Sequence, residues 1–169
     1  QWPSSAASDV YKRQEYARNV CGIKDANTRE SNKKTKNYLI DIMKNQKNIQ
    51  EKGGTMRLGK YPCNLKKSSK AYNAYKKIKI FERHRHRYEV NPSFHSKLKQ
   101  HGLILSGLSP DGKLVEIIEL KKHKWFLACQ FHPEFKSKPF LSHPLFKGFI
   151  KASTDSKNDW KSPAILFIY

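Results

Sequence analysis

Between positions 77 and 90 the chain alternates: Ile78, Ile80, Glu82, His84, His86 and Tyr88 share one side of an extended backbone, and Arg83, Arg85, Arg87 and Glu89 the other. A long strand with polar groups on both faces is expected there. Two more strands, 103–107 and 113–120, flank Ser109, Pro110, Asp111 and Gly112, a turn by composition. Positions 125–131 are apolar except Gln130, as in a strand covered on both faces. The run 38–43 predicts one short strand inside a Lys/Asn/Gln-rich stretch, 31–52, and 55–59 a short extended piece after Gly53 and Gly54. Helical spacing is found at 15–24, where Tyr16, Val20 and Ile23 share a face, weakly at 68–77, and at 93–100 between Pro92 and Gly102. Leu145, Phe146, Phe149 and Ile150 mark an amphipathic helix starting near His143 and Pro144. Residues 1–14 carry neither period and read as an appended, non-native leader. Nothing repeats internally.

The length of 169 residues suits one domain, and 9 Phe, 8 Tyr and 3 Trp give it a core despite a hydrophobic fraction of 37%. No apolar run approaches the ~18 residues that cross a bilayer, and the first 20 residues lack a secretory pattern, so membrane and secreted readings fall away. Cys21, Cys63 and Cys129 are an odd, widely spaced set, which fits reduced thiols in the cytoplasm. The net charge of +20 raises a nucleic-acid module using Arg83, Arg85 and Arg87. Only 7 of the 34 basic residues are Arg, however, and the lysines spread from Lys12 to Lys161, which describes a solvated surface better than a specific nucleic-acid site.

Candidate chemistry concentrates at Cys129-Gln130-Phe131-His132-Pro133-Glu134-Phe135. Pro133 keeps His132 extended, so the Glu134 side chain falls on the same side as the imidazole and accepts a bond from one ring nitrogen. The other nitrogen then serves as a general base. The same pattern is also met in a strand-end histidine beside an exposed carboxylate. No cysteine has the sharp-turn setting of a nucleophile, and Cys129 falls on the face opposite His132. His84 and His86 lack a marked third ligand, so no metal is assigned. Gly53 to Gly59 is not a phosphate loop, since no helix start with Lys-Ser/Thr follows, and Arg57 within it is either a structural cap or a clamp for a small carboxylate.

In order, Gly-Gly-Thr-Met-Arg-Leu-Gly at 53–59, Glu-Arg-His-Arg-His-Arg-Tyr-Glu-Val-Asn at 82–91 and Ala-Cys-Gln-Phe-His-Pro-Glu-Phe at 128–135 closely resemble the CTP synthase family. The resemblance covers roughly residues 15–153. It implies a carboxy-terminal class I glutamine amidotransferase domain, an α/β, flavodoxin-like fold with a central, mostly parallel sheet, here incomplete. Such a domain hydrolyses glutamine with a Cys-His-Glu triad and passes ammonia to a synthetase domain that uses ATP and Mg2+ to aminate UTP. Carried over, His132 is the general base, Glu134 its orienting partner, and Glu30 and Arg57 hold glutamine. The family's Gly-Ile-Cys-Leu-Gly-Met-Gln elbow is absent, and residues 1–14 stand in its place. The expectation is therefore a partial domain at 15–153, inactive alone, with no nucleophile, no cofactor of its own and a tail at 154–169 of unassigned structure. Its expected partners are glutamine, the synthetase domain of the same chain and, in the full-length enzyme, further copies in a homo-oligomer. A catalytically dead binding or regulatory protein built on the same shell is the competing class.

Overall fold

Alternation fixes the main sheet. In β4 (Lys79–His86) Ile80, Glu82, His84 and His86 are buried while Phe81, Arg83 and Arg85 are exposed, as period-two spacing requires. The structure is a computed structural model that describes residues 5–32, 34–42, 56–155 and 165–168. β4 pairs with β3 (Arg57–Leu65), and the sheet continues through β6 (Leu103–Leu108), β7 (Val115–Leu120), β8 (Phe126–Cys129) and β9 (Ile165–Ile168). A smaller sheet joins β1 (Asn27–Thr28), β2 (Tyr38–Ile42) and β5 (Tyr88–Val90). Pro62 is tolerated in β3 because only Asn64 and Leu65 of that strand pair with β6.

The strand directions correct the expected mostly parallel sheet. Within the described residues every pairing from β4 to β8 is antiparallel, and only β8 with β9, and β1 with β2, run parallel. Connection length explains this. The β6–β7 turn and the β7–β8 loop are too short for the dozen or more residues of a parallel crossover, whereas α4 (Pro144–Thr154) lies between β8 and β9 and supplies one.

Each face of the large sheet has its own core. On one, Leu105, Ile118 and Ala128 pack with Ala17 of α1 (Ser5–Asn19), Leu98 of α3 (His95–Gln100) and Leu39, Ile40 and Val90 of the small sheet. On the other, Cys63, Ile117, Leu127 and Phe131 pack with Ala71 of α2 (Lys70–Tyr75) and Leu145 of α4. Gly148 is required by this packing, since a Cβ there would lie 2.2 Å from Trp125 Cη2.

Other expectations shift locally. α1 begins at Ser5, so the segment set aside as a leader continues directly into the expected helix, and Arg13 and Gln14 are buried. The strand expected over 77–90 breaks at Arg87 and sends β5 into the other sheet, which turns Glu89 inward. Residues 165–168 of the unassigned tail form the edge strand β9. The predicted pieces at 43–55 lie outside the described residues.

Candidate functional site

His132 follows the end of β8, where the chain crosses to β4 and the His132 amide donates to the Arg83 carbonyl at 2.9 Å. Pro133 opens a 3-10 turn, Pro133–Lys136, rather than the extended continuation expected, yet the turn brings Glu134 Oε1 to 2.7 Å from His132 Nδ1. Since a carboxylate only accepts, Nδ1 carries the proton and Nε2 is left with its lone pair. The His132 side chain is 15% exposed and that of Glu134 45%. The Phe135 ring lies beside the imidazole, with centroids 5.1 Å apart.

Behind this pair lies a second, buried layer. His84 Nδ1 is 2.9 Å from His86 Nε2, and the Phe131 ring packs edge-on against His84. Burial, with the Arg57 charge adding to it, depresses His84 to about 2 and His86 to about 3, so both rings are neutral at neutral pH. Glu116 completes a group of possible metal ligands with them, all within 4.8 Å and all buried. Within this group His84 Nδ1 is paired with His86 Nε2, and Glu116 Oε1 lies 2.6 Å from Arg57 Nη2.

Arg57 is buried in this layer. Its Nη2 lies 2.6 Å from Glu116 Oε1, its Nη1 3.3 Å from Glu89 Oε1, and its guanidinium covers the Tyr61 ring at 4.6 Å. Burial lifts the Glu89 carboxyl to about 8, with the Glu116 charge adding and Arg57 opposing. Burial likewise raises Glu116, against the bond from Arg57. With its side-chain amide turned over, the orientation its neighbours call for, Gln130 donates its amide nitrogen to Glu89 Oε2 at 2.6 Å and to the Val115 carbonyl at 2.7 Å. Sequence reasoning passed over Glu89 and Glu116 as partners of Arg57. The available signal was a carboxylate set within the otherwise apolar run Leu114, Val115, Ile117 and Ile118.

Glu30 follows β1 and is exposed, with its amide bonded to Thr28 Oγ1 at 3.2 Å. Burial raises the Tyr88 phenol, the Glu30 charge adds to that, and Arg87 and Arg29 oppose it. The structure thus brings His132 and Glu134 into contact, and among the described residues neither Glu30 nor Arg57 bonds to that pair.

The three cysteines are free and buried. Burial pushes the Cys63 and Cys21 thiols up, and Cys129, fully buried, directs its Sγ to the Phe131 carbonyl at 3.6 Å. A cavity of about 1230 Å³ opens along β6 between Tyr16, Lys66, Lys99 and Lys122, and its lining includes none of His132, Glu134, Glu30 or Arg57. Among the described residues no helix is long and apolar enough to cross a membrane.

Comparison with known proteins places this geometry in a family. Residues 13–152 match glutamine amidotransferase class-I. The chain is 57% identical over 141 residues to a CTP synthase of Chlorobium phaeobacteroides, covering 83% of this chain and 25% of that protein. It is 53% identical over 144 residues to a CTP synthase of Bacillus subtilis, covering 85% of this chain and 27% of that one. It spans about a quarter of the length of these curated relatives. A solved structure titled as the glutaminase domain of a Trypanosoma brucei CTPS with bound acivicin superposes with a TM-score of 0.81 at 34% identity, over 92% of this chain and 61% of that one. The chain belongs to the class-I glutamine amidotransferase family.

Proposed function

We propose that these residues form the glutaminase part of a CTP synthase, which releases ammonia from glutamine for the ATP-dependent conversion of UTP to CTP. The observation that carries the reading is the His132 Nδ1 to Glu134 Oε1 contact of 2.7 Å, which leaves Nε2 as a proton acceptor in a mostly covered position. In the proposed reaction a cysteine from outside these 169 residues gives its proton to His132 Nε2 and attacks the amide carbon of glutamine. His132 returns that proton to the departing ammonia. It then takes one from water, which releases glutamate from the thioester. Glu134 stabilises the imidazolium each time it forms.

Glu30, exposed beside Tyr88, offers a carboxylate for the substrate ammonium. For Arg57 the sequence-based reading makes it a clamp on the substrate carboxylate, whereas its pairing with Glu89 and Glu116 favours an internal role. ATP and Mg2+ belong to the synthetase part, as the resemblance to CTP synthases implies. A homo-oligomer and a cytoplasmic location complete the reading. The test is a chimera in which residues 13–152 replace the matched segment of the Bacillus subtilis CTP synthase. It should form CTP from UTP with either glutamine or ammonia as nitrogen source. A chimera that uses ammonia at the parental rate and cannot use glutamine would refute the proposal.

A further inference from the structure

Glu82 of β4 is fully buried, and three other elements converge on its Oε1. Tyr75 Oη of α2 donates at 3.0 Å, Lys136 Nζ of the 133–136 turn at 2.9 Å, and His143 Nε2, from the residue that caps α4, lies at 3.4 Å. The cap fixes the His143 tautomer: its Nδ1 accepts from the Leu145 amide at 3.3 Å, so the proton sits on Nε2 and faces Glu82. Burial disfavours the Glu82 carboxylate, and the bonds from His143 and Lys136 overcome that and hold its pKa below the usual range.

The geometry links this cluster to the His132 pair. Lys136 Nζ donates not only to Glu82 but also to the Phe81 carbonyl at 2.7 Å, while His132, at the other end of the same segment, donates its amide to the Arg83 carbonyl at 2.9 Å. Both ends of segment 132–136 are therefore fastened to residues 81–83 of β4. Between them Glu134 is nearly half-exposed, and its carboxylate bonds to no described residue but His132. Its placement beside the imidazole therefore depends on the geometry of the turn that carries it.

We propose that Glu82, acting through Lys136, is a positioning residue that fixes the turn and so keeps Glu134 bonded to His132. This inference rests on the glutaminase reading above and adds a residue pair to it. A loosened turn weakens the alignment of the base, which lowers the rate of the chemical step while leaving substrate binding in place.

The experiment uses the same chimera. Lys136 is the residue to change first, because its side chain is 41% exposed and Glu82 keeps its Tyr75 and His143 donors when Lys136 is lost. Lys136→Met should lower glutamine-dependent kcat about 10-fold, short of the ~100-fold that a full 1 Å misplacement costs. The glutamine KM should stay within about twofold, and ammonia-dependent synthesis should be unchanged, since only binding-neutral misalignment is introduced. Lys136→Arg should restore most of the rate. Glu82→Gln combined with Lys136→Met should be no slower than the slower single variant, because the two act as one unit. In the 169-residue chain, imidazole 15N shifts of His132 should report the Nδ1–H tautomer and lose that preference in Lys136→Met. An unchanged kcat, a parallel loss with ammonia, or an unchanged tautomer would overturn the inference. The His132→Ala chimera separates the two ideas: if it keeps glutamine-dependent synthesis the glutaminase reading fails, and if it loses it while Lys136→Met is normal only the positioning role fails.

Discussion

Replacing Arg57 by Met removes the cation that two buried carboxylates share while keeping an unbranched side chain of similar reach. Glu116 is fully buried and Glu89 nearly so, with guanidinium contacts of 2.6 and 3.3 Å. Removing one partner of such a buried pair costs about 3–5 kcal/mol because the charge left behind is uncompensated. The loss depends on pH. In the parent the Glu89 carboxyl is raised to about 8, and Arg57 is among the charges that oppose that rise, as it opposes the rise in Glu116. Without Arg57 the folded variant binds an additional proton at these sites, and each proton taken up relieves about 1.4 kcal/mol per pH unit. The variant should therefore be about 3–5 kcal/mol less stable than the parent at pH 8.5 and less than about 2 kcal/mol less stable at pH 5.5. With a urea m-value of about 2 kcal/mol/M, the midpoint falls by roughly 1.5–2.5 M at the higher pH. Adding Glu116→Gln at pH 8.5 should recover about half of the loss, since it removes the stranded charge. Urea unfolding of the 169-residue chain at both pH values measures all of this. A shift below about 1 kcal/mol at both, especially with a raised glutamine KM in the chimera, would refute the internal role and make Arg57 a substrate clamp.

The 169-residue chain alone should release no glutamate from glutamine above buffer, because Cys21, Cys63 and Cys129 are all buried; release abolished by Cys129→Ser would contradict this. His84 has a folded pKa of about 2, below its ordinary value, so an unfolding chain binds a proton there that the folded one does not, and its stabilising effect is lost as pH falls from about 6.5. His84→Gln should flatten the acid-side dependence of stability by about 1.4 kcal/mol per pH unit over that range, and an unaltered slope in urea midpoints against pH would refute the neutral buried ring. Gly148→Ala should lower stability by about 1–3 kcal/mol through the clash with Trp125, and an unchanged thermal midpoint would show that α4 can move away.

Much of the site was legible because it is local. His132 and Glu134 are two residues apart, so their contact followed from the sequence even though the backbone between them is a 3-10 turn and not extended. The alternation through β4 correctly put Ile80, Glu82, His84 and His86 on one face. It could not say that this polar face is the buried one, because the groups that satisfy it come from far along the chain: Arg57 and Glu116 for the histidine layer, Lys136 and His143 for Glu82. The sheet's direction was misjudged because the parallel expectation came from the family resemblance, while the short connections on either side of β7, readable in the sequence, require hairpins. The helix was expected to start only at residue 15 because residues 1–14 show no hydrophobic period and read as an appended leader. The helix from Ser5 contains neither glycine nor proline to stop it.

His132 as the base of glutamine hydrolysis is open to the most direct test. In the chimera carrying residues 13–152, His132→Ala should reduce glutamine-dependent CTP formation at least about 100-fold, in line with the loss of a general base, and leave ammonia-dependent formation within about twofold of the parent, because ammonia bypasses the step the base serves. Equal loss with both nitrogen sources would make His132 a structural residue, and full retention with glutamine would contradict the account outright.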